Sequence, residues 1–213
     1  MRAVLLSLLT VGFVAVLLLA ESRQRPRQAL VVKGCASLCF VLLGWVGLGQ
    51  PPSRFDLWVL AGLICAALGD VLLALPGNAA FQAGIGAFGV GHALYIVAAY
   101  VALDGALPPA WTTALLVPSL GAYAWLYPHL GAMRVAVGVY VALITAMVAY
   151  ALALYLAAPG FGAWFLAGAT LFYASDLSVA RDRFVRNQLI NRLWGLPAYY
   201  VGQLLIAYSL ALE

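Results

Sequence analysis

Charge is what this sequence lacks. Of its 213 residues 8% are charged and 66% are hydrophobic, and the mean hydropathy is +1.03. Soluble domains carry about one-quarter charged residues, so a water-soluble fold is excluded. Histidine is nearly absent: only His92 and His129 occur, fewer than the three ligands a catalytic zinc site commonly takes. Cysteine is limited to Cys35, Cys39 and Cys65, all inside apolar runs. Their spacing does not suit a structural zinc site, and such thiols read as small packing residues. Neither a metal nor another cofactor is expected. There is no Gly-x-Ser-x-Gly nucleophile elbow, no low-complexity tail, and no train of alternating ten-residue strands that would mark a membrane barrel. The net charge of +4 is no sign of nucleic-acid binding, because the basic residues are gathered in loops of the kind that orient membrane proteins.

What is present is a succession of long apolar runs. They predict an all-α polytopic bundle of eight transmembrane helices, a single domain over residues 1–213, with spans near 3–20, 29–49, 57–75, 81–103, 110–127, 135–157, 162–179 and 193–212. Met1-Arg2 ahead of an apolar run also resembles a signal peptide, but the run is long for one and is read as a span. Pro118 predicts a kink in the fifth span. Nine of the eleven basic residues fall in or beside the loops after odd-numbered spans. The positive-inside rule then puts those loops in the cytoplasm and both termini on the non-cytoplasmic side.

Against this background a few polar residues stand out. Asp70 is the only ionisable group of its span apart from the Cys65 thiol. A charge at the centre of a membrane helix costs roughly 2.5–3.5 kcal/mol on insertion scales. Asp176 repeats the problem in the seventh span. Counting 1.5 Å per residue from the cytoplasmic helix ends, Lys33, Asp70, Tyr140, Asp176, Tyr199 and Gln203 fall within a layer of roughly 8–10 Å. His92 lies deeper, on a face shared with Gly84, Phe88 and Tyr95. Singly, Lys33 reads as a snorkelling boundary lysine, His92 as an interhelical hydrogen-bonding group and the tyrosines as interfacial residues. The aspartates could be ion-pair partners of Lys33 or Arg183. Together they predict one cavity opening toward the cytoplasmic leaflet. Two nearby buried carboxylates cannot both ionise cheaply, so one can hold a proton as a general acid while the other stabilises positive charge and orients water.

The segments Gly69-Asp70-Val71-Leu72-Leu73, Phe88-Gly89-Val90-Gly91-His92-Ala93-Leu94-Tyr95 preceded by Gly84, Phe172-Tyr173-Ala174-Ser175-Asp176 and Tyr199-Tyr200-Val201-Gly202-Gln203 resemble, in that order, the YhhN family of membrane proteins. Its vertebrate members are lysoplasmalogenases. The resemblance implies an eight-helix hydrolase of the vinyl ether bond of lysoplasmalogens or a related lysolipid, releasing a fatty aldehyde. Asp70 and Asp176 would be the catalytic pair, in either order. His92, Tyr95, Tyr140, Ser175, Tyr199 and Gln203 would bind or orient substrate and water. Lys33, Arg183 and other loop arginines would hold the phosphate, with the hydrocarbon chain between helices. The partners implied are a lysophospholipid and the bilayer, and the Ala- and Gly-rich composition suggests a bacterial cytoplasmic membrane. The same aspartates would also serve a proton-coupled transporter. An intramembrane aspartyl protease is disfavoured, since Ala67-Leu68-Gly69 precedes Asp70 where Gly-x-Gly is expected, and a lipid-binding scaffold is the remaining alternative.

Overall fold

The computed structural model describes residues 1–213 and is helical throughout. Eight α-helices follow one another: α1 (Arg2–Ser22), α2 (Pro26–Gly47), α3 (Arg54–Ala74), α4 (Asn78–Ala102), α5 (Leu116–Leu126), α6 (Arg134–Ala157), α7 (Pro159–Ala180) and α8 (Leu189–Ser209). Local sequence explains most boundaries. Pro26 and Pro159 occupy first-turn positions, where a missing N–H costs nothing. A reciprocal Ser53–Asp56 capping box starts α3. Gly77, at φ +100°, turns the chain between α3 and α4, a conformation that a side chain would disfavour.

The fifth expected span is the one that differs. Residues Ala110–Leu115 form a 3-10 helix, and α5 has 11 residues. Pro118 is the third residue of α5, a first-turn position that tolerates a missing N–H. The segment Arg181–Val185 is a π-helical turn that links α7 to α8.

Six helices, α1–α4, α6 and α7, are long and apolar enough to cross a membrane. Large apolar side chains such as Leu8, Val31, Leu38, Val90, Leu120 and Val139 cover the outer surface. A surface of that kind belongs in lipid rather than water, and the protein is an integral membrane protein. Sequential pairs α1–α2, α3–α4 and α7–α8 pack as antiparallel hairpins. The more polar α8 touches α1, α2, α3 and α7, so it lies inside the bundle; Asn191, Tyr200 and Gln203 are buried along it. α6 joins α4 to α7, and α5 rests on α6. Glycine allows the closest approaches: a Cβ on Gly168 of α7 would lie 2.6 Å from the Gly202 carbonyl oxygen of α8. A second, small apolar cluster of Leu126, Leu130 and Val137 stands apart from the main core, under α5.

Candidate active site

A cavity of about 420 Å³ opens among the helices. Its lining includes Glu21, Pro26, Ala74, Leu126, Ala180, Arg183 and Arg192. These residues flank the α1–α2, α3–α4, α5–α6 and α7–α8 connections, so the cavity enters the bundle from that end. Lys33, Asp70, Tyr140, Ser175, Asp176, Arg183 and Tyr199 also line it.

Asp70 is 1% exposed and is surrounded by donors. Lys33 Nζ lies 3.3 Å from Oδ1. Ser37 Oγ and Tyr199 Oη donate to Oδ2 at 2.6 and 2.7 Å. Lys33 and Ser37 share a face of α2 because they are four residues apart. Tyr200 Oη reaches the Lys33 carbonyl oxygen at 3.3 Å. An ammonium and two hydroxyls, all donors, form a socket for an acceptor carboxylate. Lys33 therefore faces the Asp70 carboxylate from the cavity wall. Ser37, the nearest neighbour of Asp70, carries no conspicuous mark in sequence; its one signal is that i, i+4 spacing from Lys33.

Asp176 sits in a different setting. Tyr140 Oη donates to its Oδ2 at 2.7 Å, and His92 Nε2 approaches the Tyr140 oxygen at 2.9 Å and Oδ2 at 3.5 Å. Tyr140 spends its single proton on Asp176, so His92 Nε2 must be the donor to the tyrosine. His92 is fully buried and its Nδ1 has no partner, which suits a bare acceptor nitrogen opposite a protonated Nε2. The Asp176 side chain is 19% exposed. Both contacts use Oδ2, so Oδ1 is left to the cavity.

No hydrogen bond joins the two carboxylates. An aromatic wall links their surroundings: Tyr199 packs edge-on against Phe88 and Phe172, and Phe172 lies 4.6 Å from the His92 ring. Tyr95 and Gln203 do not line the cavity. Tyr95 Oη donates to Gln203 Oε1 at 2.8 Å, deep among α3, α4 and α8, and Gln203 Nε2 has no partner. Ser175 Oγ donates to the Phe172 carbonyl oxygen of its own helix. Arg183 donates to Asn78 Oδ1 and stacks over Phe81, so it is not the partner of Asp176. Arg192 is held by Glu21 at 2.8 Å and Asp182 at 3.1 Å. Neither of the two histidines converges with two further His, Cys, Asp or Glu side chains in a metal-binding set.

Such a molecule, a membrane-helix bundle with one buried and one partly exposed carboxylate facing one cavity, belongs to the class of polytopic proteins with a polar intramembrane site. The particular lineage follows from comparison: the YhhN family pattern matches residues 28–210, and the chain belongs to that family. It is 34% identical over 167 residues to the lysoplasmalogenase of Mycobacterium bovis, covering 75% of this chain and 61% of that one. It is 38% identical to lysoplasmalogenase TMEM86A of Bos taurus over 158 residues, 71% of this chain and 64% of the relative. With lysoplasmalogenase TMEM86B of Rattus norvegicus it shares 34% over 181 residues, 84% and 71% of the two chains. The chain thus spans about three-fifths of the length of the mycobacterial and bovine relatives. No solved structure matches it.

Proposed function

We propose that this protein is a membrane hydrolase that cleaves the vinyl ether bond of lysoplasmalogens, giving a fatty aldehyde and a glycerophospho head group. The observation that carries the reading is the pair of dissimilar carboxylates on one cavity, in a chain whose relatives are named lysoplasmalogenases. Hydrolysis of a vinyl ether starts with a proton delivered to the β-carbon. The resulting oxocarbenium ion takes up water at the carbon bearing oxygen, and the hemiacetal collapses to aldehyde and alcohol. The reaction needs one proton donor and one stabilising anion.

The two surroundings divide these roles. Asp176, with Oδ1 free to the cavity and a single hydroxyl donor, is the general acid. Asp70, held by Lys33, Ser37 and Tyr199, is the standing anion that stabilises the cation and orients water. Tyr140 and His92 position Asp176. Ser175 lines the cavity, while Tyr95 and Gln203 join α4 to α8 away from it. Arg183, which gives one nitrogen to Asn78, has further donors for the substrate phosphate at the cavity mouth. The mouth lies at the arginine-rich end, which faces the cytoplasm under the positive-inside rule, and the host membrane is a bacterial cytoplasmic membrane.

The test is aldehyde release from lysoplasmenylethanolamine by the purified protein in lipid nanodiscs. Asp176→Asn and Asp70→Asn should each lower turnover by about 10²–10⁴-fold. Unchanged release by both variants would overturn the assignment. Absence of release by the wild type, with an aspartate-dependent flux into vesicles, would favour a transporter.

A further inference from the structure

Lys33 is the only lysine of the chain, and its amine faces the cavity that holds both aspartates. It stands on α2 at the cavity wall, with 13% of its side chain exposed. Asp70 Oδ1, at 3.3 Å, is its ionic partner, and no other carboxylate pairs with it. Ser37 and Tyr199 both donate to Oδ2, so Oδ1 is left to the ammonium. The walls around the pair are apolar. Ala29, one turn before Lys33, and Leu73 and Ala74, one turn after Asp70, line the same cavity, as does Leu196, one turn before Tyr199.

A lysine withdrawn from water beside a proton acceptor is the amine that condenses with a carbonyl group. We propose that Lys33 is a reversible covalent site for an aliphatic aldehyde, held as a protonated imine with Asp70 as its counter-ion. The ammonium first passes a proton to Asp70 Oδ1. The freed Nζ lone pair attacks the carbonyl carbon, and the oxygen takes that proton to give a carbinolamine. Nζ then gives Asp70 a second proton. The hydroxyl leaves with it as water while the nitrogen lone pair closes the C=N bond. Amine cation and aldehyde thus become iminium and water, with no oxidation and Asp70 ionised again. The iminium keeps its positive charge opposite the carboxylate, so the ion pair survives the condensation, and apolar walls retain little of the water that would reverse it. The inference rests on the hydrolase reading only for the origin of the aldehyde. Vinyl ether cleavage would free one into this cavity, and aldehyde dissolved in the bilayer is the other source.

The test traps the imine. The purified protein, in nanodiscs of phosphatidylcholine, which has no primary amine, is given hexadecanal with cyanoborohydride, and the label is located by peptide mass spectrometry. The Met1 α-amine is the internal control. Lysines are ordinarily more fully protonated at neutral pH than α-amines, so bare amines would favour Met1. Labelling of Lys33 should instead exceed that of Met1 by about tenfold or more, as expected of a group held beside its proton acceptor. Lys33→Arg keeps a cation opposite Asp70 and should lose this label; the mapping of the wild type decides the matter even if that variant does not fold. Absence of label at Lys33, or preference for Met1, overturns the proposal. A second arm supplies lysoplasmenylcholine and reductant without added aldehyde. Label at Lys33 there upholds the site and makes the enzyme's own product its source. Label from hexadecanal with no aldehyde released from the lysolipid upholds the site while the hydrolase reading fails. Aldehyde released in the second arm with Lys33 bare in both arms overturns the site and leaves the hydrolase reading standing.

Discussion

Lys33 Nζ stands 3.3 Å from Asp70 Oδ1, with 13% and 2% of the two side chains exposed. The only lysine of the chain is thus committed to the most costly carboxylate, and the pair ties α2 to α3 inside the bundle. Each charge makes the other tolerable at that depth.

Removal of one partner should hurt more than removal of both. Lys33→Met leaves Asp70 without its countercharge and should cost about 3–5 kcal/mol of stability. Lys33→Met combined with Asp70→Asn should recover much of that loss while remaining inactive. Thermal unfolding of the two single variants and the double variant in one detergent checks this, since a coupled pair shows a non-additive cycle.

Tyr140 is expected to act through Asp176. Tyr140→Phe removes a hydrogen bond to a charged or charge-accepting group, about 1.5–3 kcal/mol. Turnover should drop on the order of ten- to hundredfold, with a smaller change in KM. His92→Phe should lower turnover as well, and the double variant should be no worse than Tyr140→Phe alone, because histidine acts by orienting the tyrosine. Steady-state kinetics of the three variants, with pH profiles, tests the order of the chain His92–Tyr140–Asp176.

The α7–α8 contact gives a prediction with an internal control. A Cβ on Gly168 would press on the backbone of Gly202, which cannot move aside like a side chain. Gly168→Ala should destabilise by about 1–3 kcal/mol. Gly12 in α1 has nothing within 4 Å of a Cβ, so Gly12→Ala should be neutral or slightly stabilising. Yield of folded protein and thermal midpoint distinguish the two.

Arg192 holds Glu21 at the end of α1 and Asp182 in the π-helical turn. Arg192→Gln should lower stability by about 1 kcal/mol, given how much solvent the group keeps. The deficit should shrink at high salt, where exposed pairs are already screened. Thermal midpoints at two ionic strengths measure it.

The sequence by itself determined the membrane class, the all-helical architecture and the order of the helices, because apolar runs of bilayer length have no other outlet for their backbone hydrogen bonds. It also marked Asp70 and Asp176, because charge at that depth is conspicuous against so apolar a background. The short fifth helix was not legible, since hydropathy is blind to a change from 3-10 to α geometry. Partnership was decided only by the tertiary structure. Periodicity puts Lys33, Ser37, Tyr140 and Tyr199 on helix faces, but which faces meet depends on how α2, α3, α6 and α8 rotate and approach. Close packing at Gly69 and Phe88 seats α3 on α4, and at Gly168 and Gly202 it seats α7 on α8. In the folded bundle one carboxylate received a lysine and two hydroxyls, and the other received a tyrosine backed by a histidine. Tyr95 and Gln203, alike in sequence to the residues that line the cavity, face each other instead.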